Sequence, residues 1–173
     1  MTATQSVLTR SHSAEQMKTS RAQPVDLESL PGHYIRRLQQ IAVAVFLQET
    51  EVHGVTPVQY AALQTVGNTP GIDQRTLART IGFDTSTIAG VIDRLESRGL
   101  MQRSASPDDR RVRLLTLTKE GQALLAEVVP SMLLAQDRML APLPRRERAE
   151  FMRMLRVLVT ANNEHSRAPR EGG

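Results

Sequence analysis

One stretch, SPDDRRVRLLTLTKEG at residues 106–121, departs from the helical periodicity that fills most of this chain. After a polar tip its apolar residues alternate with a period of two, which is typical of a half-buried strand. The preceding LMQRS at residues 100–104 predicts a partner strand. We therefore expect a mainly α fold with a small β-hairpin. The tip is unusual because it is rich in charged side chains, namely Asp108, Asp109, Arg110, Arg111 and Arg113.

Capping residues and glycines predict where the helices begin and end. Four residues are expected to be helix N-caps: Thr56, Asp73, Asp84 and Thr118. Four glycines are expected to end helices: Gly54, Gly67, Gly82 and Gly99. Thr56 is the clearest start, because Pro57 at the first helical position and Gln59 three residues after the cap complete a capping box.

The helix that begins after Asp84 is apolar on one side only. Its apolar stripe is Ile88, Val91, Ile92 and Leu95, spaced as one helical face. The opposite side carries mostly small and polar residues, as entry into the DNA major groove requires. Two short helices followed by a strand, a tip and a strand form the order of a winged helix-turn-helix. Ser86 and Thr87 would meet phosphate at the first turn, and Arg94 would reach backbone or a guanine edge.

The arginine-rich tip fits a wing that lies along DNA. A narrow minor groove concentrates negative potential and attracts arginine. Asp109 is expected to hold the Arg111 side chain extended through a charge-assisted pair. The candidate DNA-binding residues are Thr85, Ser86, Thr87, Gly90, Arg94, Asp109, Arg110, Arg111 and Arg113.

Each of these signals has a plainer interpretation when taken alone. A charged hairpin tip is usually a solvated turn, and a helix-turn-helix pattern is weak evidence in one sequence. Their occurrence together, in this order, favours DNA binding. The alternative is a winged-helix module for protein–protein contact, whose basic tip meets an acidic partner. A net charge of +4 is compatible with either partner.

The stretch STIAGVIDRLESRGLMQRSASPDDRRVRLLTLTKEG resembles the central signature of the MarR family of bacterial transcription regulators. The family pattern is D-x-L-E-x-x-G-L, then D-x-R in the wing, then L-x-L-T-x-x-G. The matching residues are Asp93, Leu95, Glu96, Gly99, Leu100, Asp109, Arg111, Leu115, Leu117, Thr118 and Gly121. Gly90 departs from the family, many members of which carry a longer side chain there.

The resemblance implies an obligate homodimer in which each winged domain reads half of a palindromic operator. It also implies that Arg111 enters the minor groove beside Asp109, and that repression is the default mode. Residues 30–163 would form one unit, with a winged helix-turn-helix at 56–118 and dimerisation helices at 30–55 and 119–163. Residues 1–29 and 164–173 are expected to be disordered tails.

Dimerisation has separate support in the helix after Thr118. Apolar residues surround much of this helix, and a helix of that kind is buried on more than one side. They are Val128, Val129, Met132, Leu133, Leu134, Met139 and Leu140.

The resemblance further implies a crevice for small aromatic acids between the dimer helices and the winged domain. The candidate ligand-binding residues are His33, Arg36, Arg37, His53 and Tyr60, of which Arg37 best matches a basic position in the family. An arginine can bind the carboxylate of such an acid with two parallel hydrogen bonds, while tyrosine and histidine side chains surround its aromatic ring. The plainer interpretation is an exposed or ion-paired face at residues 36–37 and a core tyrosine.

Catalysis is not expected. The chain has no cysteine and four scattered histidines, and it lacks a phosphate-binding glycine loop and paired catalytic carboxylates. We therefore expect no enzyme activity, no metal site and no cofactor. The start of the sequence lacks the apolar stretch of a secretory signal, which favours a cytoplasmic protein.

Overall fold

The computed structural model describes residues 25–165. The chain divides into two compact units, Met1–Ile35 and Arg36–Gly173. The described part of the first unit holds a 3-10 turn, Leu27–Ser29, whose Asp26 cap accepts a hydrogen bond from the backbone N–H of Glu28. The predicted tails lie mostly outside the described residues.

Six helices and a small sheet make up the described chain. The helices are α1 (Pro31–Glu49), α2 (Pro57–Asn68), α3 (Gln74–Ile81), α4 (Thr85–Ser97), α5 (Lys119–Leu140) and α6 (Arg145–Ala161). The strands are β1 (Ile72–Asp73), β2 (Met101–Ala105) and β3 (Arg113–Leu117). Two further 3-10 turns span Glu51–His53 and Asn163–His165. This mainly α architecture with a small antiparallel element confirms the expected fold class.

All four predicted N-caps are present. Thr56, Asp73, Asp84 and Thr118 each accept a hydrogen bond from the backbone N–H three residues farther on. At α2 the box is complete, because the Gln59 side chain accepts in return from the backbone N–H of Thr56 at 3.0 Å. These bonds satisfy N–H groups that a helix start leaves without partners.

Two of the predicted helix ends are wrong. α1 ends at Glu49, and Gly54, with φ +60°, closes the 3-10 turn that follows. α2 continues through Gly67 to Asn68, so this glycine does not end the helix. A Cβ there would lie 3.0 Å from the Leu125 side chain and 3.3 Å from that of Leu117.

The sheet has three strands, where the sequence predicts two. β3 is central and pairs antiparallel with both β2 and the two-residue β1, in the order β1-β3-β2. Ile72 pairs with Leu115, and Met101 pairs with Leu117. β1 immediately precedes α3, so this pairing attaches the base of the wing to the helix-turn-helix.

The core lies beneath α4 and the sheet. The predicted stripe of Ile88, Val91, Ile92 and Leu95 is almost completely buried, which confirms that it is structural. Gly121 permits the first turn of α5 to meet the chain at Leu100, because a Cβ at Gly121 would lie 1.9 Å from the Leu100 carbonyl oxygen. The Thr118 hydroxyl fixes this junction by donating to the Gly99 carbonyl at 2.6 Å.

Large apolar side chains remain exposed on the terminal helices of the single chain. On α5, Leu133 and Leu134 are each more than half exposed. The exposed apolar residues of α6 are Met152, Met154, Val157, Leu158 and Val159, and α6 has no buried residue. None of the described helices is both long enough and apolar enough to span a bilayer.

Candidate nucleic-acid interface

The start of α4 is held rigidly and leaves its side chains exposed. One oxygen of the Asp84 carboxylate accepts from the backbone N–H of Thr87 at 2.8 Å, and the other accepts from the Thr87 hydroxyl at 2.6 Å. These hydrogen bonds, led by that of the hydroxyl, hold the pKa of Asp84 below its usual range. Thr85 and Ser86 are exposed beside this cap, where two candidate DNA contacts are predicted.

The face of α4 opposite the buried stripe continues through half-buried Gly90 to exposed Arg94. Arg94 is exposed, and its Nη1 lies 3.6 Å from the point where a Cβ on Gly90 would stand. The guanidinium therefore folds back along the helix over the glycine. Both candidate residues thus lie on the side opposite the buried stripe.

Arg103 on β2 joins the wing to α4, a link that sequence reasoning missed. Its Nη1 donates to the Glu96 carboxylate and its Nη2 to the Asp93 carboxylate, both at 2.6 Å. The Arg103 side chain is 25% exposed, so solvent screens the pair only in part. Asp93 and Glu96 lie three residues apart in the sequence, which places them on one face of a helix. Nothing in the sequence near them indicates that they bind an arginine of a strand.

A second missed arginine fixes the other end of α4. Arg98, at the C-cap, donates from Nη1 to the Gly54 carbonyl at 2.8 Å and from Nη2 to the His53 carbonyl at 3.4 Å. These carbonyls belong to the connection between α1 and α2. α4 is thus capped at its start by Asp84 and bound at its end, through Arg98, to the turn between α1 and α2.

The tip of the wing exposes Arg110, Arg111 and Arg113, as predicted. The expected pair between the Asp109 carboxylate and the Arg111 guanidinium is not formed. Asp109 instead accepts a hydrogen bond from the backbone N–H of Arg111 at 2.9 Å. Aspartate commonly bonds the backbone two residues on, and this local turn takes precedence over a side-chain pair.

The tip has further internal hydrogen bonds that shape it. The backbone N–H of Val112 donates to the Asp109 carbonyl at 2.9 Å, and that of Ser106 donates to the Val112 carbonyl at 3.0 Å. The loop therefore has a defined conformation in which the arginine side chains point to solvent without an intramolecular ion pair among the described residues.

The predicted ligand-binding residues do not form one cluster of side chains in contact with each other. Tyr60 is half-buried, with its ring 5.8 Å from that of Phe46 and its hydroxyl donating to Gln64 at 2.9 Å. Burial raises the pKa of this phenol, which keeps it a hydrogen-bond donor. Within the described residues, no hydrogen bond or ring contact joins the side chains of Arg37, His53 and Tyr60.

The remaining ligand candidates have local contacts or none. Arg36 donates to Gln40 one turn along α1 at 3.1 Å, and Arg37 is exposed. The His33 ring stands edge-on to that of Tyr34 with 5.7 Å between centroids.

Two of the clefts formed by residues 25–165 are not lined by those candidates. One of about 440 Å³ lies at the end of α1 and the turn before α2. The other, of about 480 Å³, lies between α2, β3 and α5. Among the described residues, no cluster of histidine and carboxylate side chains is suited to hold a metal ion.

Comparison with known proteins places this geometry in a family. The model of the MarR family matches residues 55–112, from the end of the turn before α2 to the wing tip. A putative transcriptional regulatory protein for the hcr operon of Thauera aromatica is 34% identical over 134 residues, which are 77% of this chain and 81% of that protein.

Solved structures agree with this match. The transcriptional repressor CouR, bound to a 23-mer DNA duplex, has a TM-score of 0.73 and 32% identity over 77% of this chain and 94% of its own. BpsR of Bordetella bronchiseptica, whose DNA binding is regulated by 6-hydroxynicotinic acid, has a TM-score of 0.75 and 31% identity over 78% of this chain and 96% of its own. The members of this family are transcription regulators and not enzymes, as the sequence predicts. The protein belongs to the MarR family of winged helix-turn-helix transcription regulators.

Proposed function

We propose that this chain is a homodimeric repressor that binds a palindromic operator in the cytoplasm. The proposed contacts are the first turn of α4, with Gly90 and Arg94 behind it, in the major groove and the wing arginines in the adjacent minor groove. The observation that carries the proposal is the wing tip, where Arg110, Arg111 and Arg113 are exposed and free of ion pairs within the described chain. Unpaired guanidinium groups on a shaped loop are available to phosphates and groove edges. Asp109 contributes by shaping that loop.

A dimer is proposed because α5 and α6 expose several large apolar side chains in the single chain. Large exposed apolar patches mark interaction surfaces. The large apolar side chains exposed on α5 and α6 are aliphatic or thioether groups. Obligate dimer interfaces are rich in such groups and resemble a protein core in composition. A two-fold dimer would present two recognition helices about 34–36 Å apart, which is one turn of duplex DNA. This spacing leads to the expectation of a palindromic site.

The direct test selects preferred duplexes from a random pool with the full chain. We expect one palindromic sequence to be enriched and to bind roughly 10³-fold or more tightly than random DNA, with an affinity that falls steeply in salt. Arg111→Ala should weaken binding while circular dichroism shows an unchanged fold. Arg146→Ala is the matched control, because it removes the same charge from a side chain that is 85% exposed at the start of α6. Equal losses in the two variants, or no enriched duplex, would refute the proposal.

We further propose that a small aromatic carboxylate releases the operator. Arg37 is assigned to the carboxylate, with Tyr60, Arg36, His33 and His53 as the other candidates. Two observations support this: Arg37 is exposed without a partner among the described residues, and the similar protein BpsR responds to an aromatic acid. The half-buried Tyr60 hydroxyl supplies a polar group within an apolar neighbourhood.

The effector proposal is tested by titrating aromatic carboxylates against the complex with the selected duplex. At least one acid should release DNA and raise the melting temperature of the free protein. Arg37→Ala should abolish both effects without changing operator affinity. Arg146→Ala is the matched control, because it removes the same charge from an exposed side chain outside the candidate ligand residues. A panel of acids without effect on DNA binding or melting would reject the pocket.

A further inference from the structure

Arg94 has the longest side chain on the exposed face of α4. The other exposed residues of this helix are Thr85, Ser86, Thr87, Asp93 and Ser97. Asp93 is held by Arg103, which draws its carboxylate toward β2. Arg94 is therefore the side chain of α4 that can contact groups farthest from the helix backbone.

The Arg94 guanidinium has no hydrogen-bond or ion-pair partner among the described residues. Its neighbours along the chain differ in this respect. Arg98 is bound to two backbone carbonyls, and Arg103 is bound to two carboxylates. All five N–H donors of Arg94 are thus available to a ligand.

Gly90 determines where this free group lies. With Nη1 only 3.6 Å from the position of an absent Cβ, the guanidinium occupies the space above the middle of α4. An alanine methyl group would fit there in ordinary contact. A longer side chain at Gly90 would take up the same space and push the guanidinium aside.

The location favours base edges over phosphates. Phosphates border the major groove, whereas the middle of an inserted helix faces the groove floor. Among the groups on that floor, guanine offers O6 and N7 together, and these match the arginine fork. A partner of this kind discriminates between bases, while a phosphate contact does not.

We infer that Arg94 reads one guanine in the major groove of each half-site, and that Gly90 sets the position from which it does so. The inference rests on the proposed operator binding and names a base for it. It also explains why a glycine can stand on the DNA-facing side: the reading group comes from the next turn of the helix.

The experiment uses the duplex that the wild-type chain selects, with each guanine replaced in turn by 7-deazaguanine, which lacks the N7 acceptor. We expect one symmetry-related pair of replacements to weaken wild-type binding roughly 5- to 140-fold per site. Arg94→Ala should lose a similar factor on the natural duplex and be insensitive to those replacements. Arg94→Lys should retain the salt dependence of binding but show a weaker preference for guanine, because a point charge replaces the planar fork. Gly90→Gln should also weaken this preference, although Arg94 is intact.

Arg111→Ala is the control, since it should bind more weakly but remain as sensitive to 7-deazaguanine as the wild type. If Arg94→Ala weakens all duplexes equally and shares the wild-type response to every replacement, Arg94 contacts phosphate and the inference is wrong. That result would leave the proposed function intact, because the operator would still be selected. Failure to select any duplex would refute the proposed function first.

Discussion

The guanidinium of Arg103 on β2 lies 2.6 Å from the Asp93 carboxylate on α4, and its second nitrogen reaches Glu96. One residue of the wing thereby contacts two successive turns of the recognition helix. A bidentate arginine holds its partners in a fixed geometry that a lysine cannot reproduce. This contact adds a side-chain link between the wing and α4 to the packing of the core.

We expect Arg103→Ala to weaken operator binding more than it destabilises the fold. The pair is partly exposed, so its loss should cost about 1 kcal/mol or less of unfolding free energy. Binding should fall further because the wing and α4 no longer present one surface. Glu96→Gln is the companion variant, since it keeps the shape and removes one charge. Equilibrium unfolding and duplex binding of both variants check this, and normal binding by Arg103→Ala would contradict it.

Two glycine substitutions should have opposite effects on stability. Gly121→Ala forces a methyl group onto the Leu100 carbonyl, and backbone cannot move aside cheaply, so we expect a loss of at least about 2–3 kcal/mol. Gly90→Ala meets only ordinary contact within α4 and should stabilise the helix by up to about 1 kcal/mol. Denaturant unfolding at one fixed protein concentration measures both. Unchanged or increased stability of Gly121→Ala would show that the close approach to Leu100 does not require a glycine.

Acid should remove a contribution of Asp84 to stability. Hydrogen bonds from Thr87 lower the pKa of this carboxyl in the folded chain. The unfolded chain therefore binds the proton more readily, so the contribution is complete above the ordinary pKa of about 4 and is lost as the pH falls through the lower folded-state value. Asp84→Asn keeps a capping side chain and does not titrate. Melting curves of the two proteins should diverge above about pH 4 and converge below it, whereas parallel curves would contradict this assignment.

A charge on the exposed apolar surface of α5 should separate the proposed dimer. Leu134 is 56% exposed in the single chain, so Leu134→Glu would change the stability of a monomer by less than about 0.5 kcal/mol. In a dimer interface the same carboxylate would be buried without a partner. We expect sedimentation to show monomers and operator binding to be lost. Ala123→Glu, three turns nearer the wing on the same helix, should remain dimeric.

The helix starts were the features best predicted from the sequence, because short-range hydrogen bonds determine them. Each N-cap bonds an N–H three residues away, so Thr56 and Asp84 were recognisable without tertiary information. The buried stripe of α4 was equally evident from its spacing. By contrast, Arg98 donates to the Gly54 carbonyl, which lies 44 residues earlier in the chain. A contact over that separation cannot be predicted from the residues around Arg98.

The wrong predictions came from applying local rules where packing decides. Gly67 is a residue type that often ends helices, but here it lies within α2, where the side chains of Leu125 and Leu117 pack closely against it. β1 is too short for alternation to reveal it, since only Ile72 and Asp73 pair with β3. The three wing arginines are exposed, as expected. The predicted partner of Asp109 was wrong, because a hydrogen bond to the backbone competed with the ion pair.

The pairing of β1 with β3 has a mechanical consequence for the wing. With neighbours on both sides, β3 cannot hinge as the outer strand of a free hairpin would, so bending is restricted to residues 106–112 beyond the last rung. Internal hydrogen bonds limit that segment as well. Little backbone conformational entropy of the tip is then left to be lost when the arginines meet a target, and more of their attraction is retained as affinity.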